Sequence, residues 1–387
     1  MAMKVIQVTP DIAMEASGPA YSVPGMCRGL SLVGVDVSLH TLQRESSDTF
    51  QFPFQLVTYP FEPSRFLPGN APKMEKGLEQ ACMGVDVVHS NGLWMMPMVY
   101  PGRVIARLRS RHQAPKLVVS PRGCLATWAL RNGYVKKKIF GWLFQYQILR
   151  RADMFHATSE KEYEEIRAAG YRQPVAIVPI GMDLPETEPR NTLNTRKELG
   201  RKVLFFGRLH KVKGVDRLLL AWEKVVKDGW ELVIAGPDCG MLATLKEIVA
   251  ERKLPRVSFV GEINGPAKYE FLASGDIYVL PSDTENFGVT VTEALASGTP
   301  VIASQGTPWQ GLERERCGKW VPIGVEPLAA ALEEIMAMSD EERAAMGTRG
   351  RAWIQRDFSW RGIGEQMKAA YEWLLGRAVC PPCVREK

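Results

Sequence analysis

Short apolar runs alternate with stretches of helical periodicity along this chain. Lys4–Thr9 reads as a buried strand, and helical periodicity follows from about Tyr21 to Val33. A Gly/Pro/Ser-containing loop around Ala16–Pro19 lies between them. Strand patterns return at Val35–Leu42, Val85–His89, Leu117–Ser120 and Val175–Pro179. Near-continuous apolar strands joined through helices predict a parallel sheet covered on both faces. Met182–Asn194 carries prolines and acidic residues with little periodicity and reads as an interdomain linker. The pattern then restarts: strand Val203–Phe206, loop Gly207–Gly214, helix Asp216–Val226, and strands Trp230–Ala235, Val257–Val260, Ile277–Leu280 and Pro300–Ala303. The expected fold class is α/β, with two doubly wound Rossmann-like domains over residues 1–182 and 183–360. Such halves gather ligands in a cleft at the carboxyl ends of their strands. A last amphipathic helix, about Arg361–Leu375, carries Tyr371 and Trp373. The segment 361–387 is a candidate to pack back on the first domain, which composition alone does not decide.

A length of 387 residues supports the two-domain reading. With 45% hydrophobic and 24% charged residues the chain is globular in character. The net charge of +6 suits anionic partners without choosing among nucleotides, lipid surfaces and nucleic acid. Most basic residues are dispersed, which speaks against a nucleic-acid groove. The first residues show no signal-peptide pattern, and the most apolar stretch of the basic region, Ile139–Leu149, is shorter than the about 20 residues a spanning helix needs. Seven scattered cysteines point to a reducing compartment, so a cytoplasmic protein is expected. The Cys380-Pro-Pro-Cys383 tail lacks a second C-x-x-C and a following βαβ start, and reads as a bystander.

The most informative stretch runs from Pro281 to Ile302 and contains Glu285, Asn286, Phe287, Gly288, Glu293, Gly298 and Pro300. A buried strand ends at Leu280. A polar loop turns at Gly288, a short helix begins near Val289, and Gly298 stops it. Free amides at such a helix start form an anion site. Glu285 precedes the helix and Glu293 lies about one turn into it, so two carboxylates can reach different parts of one extended ligand. This stretch resembles the E-x7-E signature of the retaining GT-B glycosyltransferases called family 4, including the PS-x-x-E-x-FG opening and the EA-x-A-x-G-x-PV close. The resemblance implies a donor-sugar contact for Glu285 and a ribose contact for Glu293, with Asn286, Phe287 and Gly288 lining the donor.

Phe205-Phe-Gly207-Arg208, continuing to Lys213-Gly214, resembles the family's G-R-x-x-x-x-K-G segment. Arg208 and Lys213 can neutralise a departing diphosphate. The sequence holds no D-x-D triplet, so no metal is expected and no cofactor beyond the nucleotide-sugar co-substrate. Gly18-Pro19 stands where the family often has a Gly-Gly pair; Gly18 is a candidate for close approach to the diphosphate, and Pro19 lacks an N–H to offer.

A fourth region resembles a bacterial branch of the family tied to envelope polysaccharides: His89-Ser-Asn91-Gly-Leu-Trp94, Ser120-Pro-Arg122-Gly123, Trp128-Ala-Leu and Lys136-Lys-Lys138. The later Thr307-Pro-Trp309-Gln310 fits the same branch without an assigned role. Arg122 stands where many members carry a histidine. It is a candidate for the chemistry, though not as a base, because arginine stays protonated. His89 and Asn91 are candidates for acceptor or sugar contact, with a strand-end histidine bonded to the backbone as the alternative for His89. Arg131–Arg151 has six Lys/Arg, five aromatics and no acidic residue. It suits docking on an anionic membrane surface, or a buried helix with snorkelling lysines. The resemblance implies a nucleotide-binding second domain and an acceptor-side first domain. The implied activity is transfer of a hexosyl unit, with retention, from a nucleotide-diphosphate sugar to a glycan or lipid-linked acceptor, in lipopolysaccharide, O-antigen, capsule or exopolysaccharide synthesis. A nucleotide-sugar 2-epimerase of the same fold and a non-catalytic sugar-binding subunit remain as alternatives.

Overall fold

The computed structural model describes residues 2–12, 18–43, 52–64, 66–110, 114–131, 133–185 and 200–386. Two compact units divide the chain: Met1–Gly181 with Trp360–Lys387, and Met182–Ser359. Of the segment read as a linker, residues 186–194 lie outside the described residues, as do residues 16 and 17 of the first loop. Gly18 and Pro19 already belong to a helix, Gly18–Leu32, which starts three residues before the periodicity shows. A proline without an N–H is tolerated in that first turn.

In the first unit the strands are β1 (Lys4–Val8), β2 (Asp36–Leu42), β3 (Gln55–Tyr59), β4 (Val87–Asn91), β5 (Lys116–Ser120), β6 (Met154–Ala157) and β7 (Val175–Ile177). They lie in the order β3-β2-β1-β4-β5-β6-β7, all parallel. This is a doubly wound order whose direction reverses between β1 and β4. The register sets Val5 against Val37 on one side and Val87 on the other. β4 is buried at all five positions and β1 at four of five, as a sheet covered on both faces requires. β3 and β6 carry weaker sequence signals: β3 is an edge strand with one fully buried residue, and β6 has only four residues, one of them a histidine.

The second unit repeats the plan with β8 (Arg201–Phe206), β9 (Trp230–Ala235), β10 (Val257–Gly261), β11 (Ile277–Leu280), β12 (Val301–Ser304) and β13 (Gly318–Val321). Their order is β10-β9-β8-β11-β12-β13, all parallel. Here the reversal falls between β8 and β11.

After the second unit the chain returns to the first through the helix Trp360–Leu374. It crosses the helix Gly18–Leu32 at very short range. A Cβ on Gly29 would strike the Trp360 carbonyl, and one on Gly364 would strike the Gly29 carbonyl. The bare glycines let the two backbones touch, which no periodicity analysis could reveal. The tail then adds β14 (Val384–Arg385) antiparallel to β7, and Ile177 N–H donates to the Cys383 carbonyl at 2.7 Å. The C-x-x-C tail is thus a sheet edge, with Cys380 exposed and both thiols free.

Candidate active site

The switch point of the second sheet is where its two informative motifs meet. β8 delivers Gly207 and Arg208, and β11 delivers Pro281 to Gly288. The loops are stitched together: Asp283 N–H donates to the Val212 carbonyl at 2.8 Å, and the Arg217 guanidinium donates to the Pro281 carbonyl at 2.8 Å. Gly214 has φ 67°, and a Cβ there would meet that same Pro281 oxygen, so this loop crossing requires glycine. Tyr278 is buried; its hydroxyl donates towards the Phe206 carbonyl at 3.1 Å and lies 2.7 Å from Thr290 Oγ1, tying the end of β8 to the next helix. Burial and the nearby carboxylates push that phenol above its usual range, so it stays a neutral donor.

Lys213 Nζ pairs with Glu285 Oε1, which also accepts from Ser282 Oγ at 2.9 Å. The two side chains retain 15% and 13% exposure, so the pair lies at the rim rather than in the core. Glu285 N–H donates to the Gly306 carbonyl at 2.9 Å, fixing the loop. Arg208 is exposed, and its guanidinium has no protein partner among the described residues. Gly288, at φ 82°, starts the helix Val289–Ala296. Behind it Trp309 Nε1–H donates to the Phe287 carbonyl at 2.6 Å while the two rings meet edge to face. Trp309 thereby gains a supporting role that the sequence left unassigned.

Glu293 lies in that helix, 5% exposed. Burial raises its pKa, and the Lys268 ammonium, 2.7 Å from Oε1, opposes the rise. Lys268 was not legible as a site residue: it stands on the helix Ala267–Ala273, outside both motifs, and its ammonium lies over the Tyr269 ring.

In the first unit, β4 ends at Asn91 and the loop after β5 carries Arg122. Arg122 Nη2 donates to Asn91 Oδ1 at 2.8 Å, and Asn91 Nδ2 donates to Gln7 Oε1 at 2.8 Å. Gln7 Nε2 reaches the Tyr371 hydroxyl, which lies 2.6 Å from His89 Nδ1. Arg122 has φ 54°, an uncommon backbone for a residue with a Cβ. Glu162 holds the turn by accepting from Gly123 N–H at 2.7 Å and from Thr158 N–H at 2.7 Å. Its signal was the pair Ser159 and Glu162 at helix-start spacing. Burial lowers the Arg122 pKa to about 10, so it stays a cation at neutral pH. The histidine expectation needs correction. His89 is fully buried between Tyr371 and His156, its pKa held well below the usual range by burial, so no face of the ring is open to an acceptor. It is also bonded to side chains rather than to backbone. Asn91 is equally buried, and its Oδ1 accepts from the partly buried Arg122. Gly18, the first residue of its helix, is exposed with open space where a Cβ would stand.

The basic segment forms short helices, Thr127–Arg131, Tyr134–Phe140, Gly141–Gln145 and Tyr146–Arg151. Trp128, Tyr134, Val135, Ile139, Trp142 and Leu143 are exposed, Trp142 at 75%. Lys136 and Lys138 are exposed beside them, whereas Lys137 donates to the Ala129 carbonyl. Phe140, Ile148 and Leu149 pack inward. No helix among the described residues is long and apolar enough to cross a membrane.

Two doubly wound parallel-sheet units, the second with paired carboxylates and cations at its switch point, define the class: a GT-B glycosyltransferase. Sequence comparison gives the family. The chain belongs to the glycosyl transferases group 1, whose model matches residues 190–353, while the glycosyl transferase 4-like domain matches residues 17–181. Among its relatives, D-inositol 3-phosphate glycosyltransferase of Segniliparus rotundus is 27% identical across 95% of this chain and 88% of its own. The lipopolysaccharide core biosynthesis mannosyltransferase LpsB of Rhizobium meliloti is 27% identical across 75% of this chain and 84% of its own. The crystal structure of Anabaena HepE in complex with UDP and glucose shares the fold, with TM-score 0.73 at 18% identity over 96% of this chain and 100% of that one.

Proposed function

We propose that this glycosyltransferase moves a hexosyl unit from a nucleotide-diphosphate sugar to a glycan or lipid-linked acceptor of the bacterial envelope, with retention at the anomeric carbon and without a metal. The observation that carries the reading is the meeting of Arg208, Lys213 and Glu285 at the second sheet's switch point, beside the start of the helix that bears Glu293. In this reading Arg208 and Lys213 stabilise the leaving diphosphate, which draws the acceptor hydroxyl onto the same face of the sugar. Glu285 and the backbone around Asn286–Gly288 hold the sugar, and Glu293 accepts from the ribose. Arg122, at the strand ends of the first unit, serves turnover rather than nucleotide binding. The UDP and glucose found with HepE and the lipopolysaccharide role in the name of LpsB support the donor class and the setting. The exposed aromatic and basic helices of residues 127–143 would hold the enzyme on the anionic inner face of the cell membrane.

Calorimetry with UDP, GDP and ADP in excess EDTA tests the core of this proposal. One of the three is expected to bind in EDTA, and the matching nucleotide sugar to support transfer or slow hydrolysis. Activity abolished by EDTA and restored by Mg²⁺ or Mn²⁺ would overturn the metal-independent reading. Absence of binding by all three in the presence of either metal would overturn the donor class.

A further inference from the structure

Glu293 presents a physical difficulty for a residue meant to accept hydrogen bonds from a nucleotide. Its side chain is 6% exposed. A carboxylate removed from water tends to take up a proton, and a protonated carboxyl is a weaker acceptor. Its partner comes from outside the signature. Lys268, on the helix Ala267–Ala273, brings Nζ to 2.7 Å from Glu293 Oε1. The ammonium is itself steadied over the Tyr269 ring, 4.9 Å from the centroid. Glu293 Oε2 has no hydrogen-bond partner among the described residues.

The other groups near Glu293 do not replace this cation. Tyr269 and Tyr278 are phenols whose pKa values are raised, and both feel the Glu293 charge as unfavourable. Glu285 bears on Tyr278, and Asp183 on Tyr269, with the same sign as Glu293. Arg351, from the helix Asp340–Asp357 packed behind, donates to the Ala296 carbonyl at the far end of the Glu293 helix.

We propose that Lys268 is a positioning residue for nucleotide recognition: it keeps the buried Glu293 carboxylate charged and leaves Oε2 for the ribose hydroxyls. The proposal rests on the reading of Glu293 as the ribose-binding residue. Lys268 is placed to act through Glu293, since its ammonium contacts Oε1 directly.

The test is UDP and GDP affinity by calorimetry between pH 6 and pH 8.5 for wild type, Lys268→Met, Lys268→Gln, Lys268→Arg, Glu293→Gln and the double variant Lys268→Met/Glu293→Gln. Dividing each variant by wild type at the same pH cancels ionisation of the nucleotide. The expected loss for Lys268→Met or Lys268→Gln is a few-fold at pH 8.5 and grows to tenfold or more at pH 6, as the unsupported carboxyl takes a proton. Lys268→Arg should restore a flat ratio. In the double variant the ratio should be pH-independent and close to that of Glu293→Gln. A loss for Lys268→Met and Lys268→Gln that stays the same across the pH range overturns the proposal while leaving the Glu293 reading intact. Unchanged affinity in Glu293→Gln overturns that reading first, and the proposal with it.

Discussion

Lys213 reaches Glu285 from a different loop, and this contact changes what each is expected to do. The lysine assigned to the diphosphate already faces a carboxylate, so the donor's negative charge meets Glu285 as well as the cation. Glu285→Gln keeps the shape and removes that charge. Binding of sugar-free UDP or GDP should therefore hold or tighten, by about 1 kcal/mol at most at this partly buried rim. Turnover should fall on the order of 100-fold if, as proposed, Glu285 contacts the reacting sugar. Nucleotide affinity that collapses in Glu285→Gln would place this residue on the nucleotide instead. Arg122 gives the complementary case. Arg122→Ala should lower kcat on the order of 100-fold while the nucleotide dissociation constant barely moves. Arg122→Lys should recover only part, since a point charge replaces a planar fork that now grips Asn91. A folded Arg122→Ala enzyme with wild-type kcat would remove Arg122 from the chemistry. The two glutamates and Arg208 could be picked out from the sequence because each motif, the one after β11 and the one after β8, has its spacing set by its own local strand–loop–helix unit. Lys268 could not, because it lies 25 residues from Glu293 and meets it only after folding.

The element in which structure sharpened the sequence most is the basic segment. Composition marked Arg131–Arg151 as one patch, whereas packing divides it. Phe140, Ile148 and Leu149 turn into the core, while Tyr134, Ile139, Trp142 and Leu143 turn out beside Lys136 and Lys138. A double Lys136→Ala/Lys138→Ala variant should weaken flotation with anionic liposomes by about 1 kcal/mol per residue near the surface. Trp142→Ala should weaken it further and retain its effect at high salt, where the lysine contribution is screened. Lys137 is the wrong probe, since its ammonium serves the Ala129 carbonyl. Wild-type protein that ignores anionic liposomes at moderate salt would refute a membrane-docking role. The same inside–outside division explains His89: a strand-end histidine looks available in sequence, yet β4 is central in its sheet and every residue of it is buried.

Across the molecule, buried histidines make acid stability uneven. His40, His89 and His156 all lie in the first unit, with His40 lowered to about 4, His156 to about 3 and His89 well below its ordinary value, each chiefly by burial. Unfolded, such a histidine titrates near about 6.5. The stability from keeping these rings neutral is full above that pH and is lost as pH falls below it, because the unfolded chain then binds more protons. Glu165, raised to about 7 by burial, works the other way with a single proton. With the Glu165 offset reduced by solvent screening, moving from pH 7.5 to pH 5.5 should thus lower first-unit stability by about 3 kcal/mol. Scanning calorimetry at the two pH values checks this, and an unchanged denaturation temperature would contradict it.

By itself the sequence determined the α/β class, the restart of the pattern near residue 200 and the strand–loop–helix motif that carries Glu285 and Glu293. These depend on apolar periodicity and on residues close together along the chain, which local geometry converts directly into strands, turns and helix starts. Tertiary structure alone decided three things. It put the final helix on the first unit through the Gly29–Gly364 crossing, it enclosed His89, and it supplied Lys268 to Glu293 and Glu162 to the Arg122 turn. Each depends on contacts between segments far apart in sequence. Their apposition is set by the packing of whole sheets and helices, and that information is spread over the core rather than written beside the residues that meet.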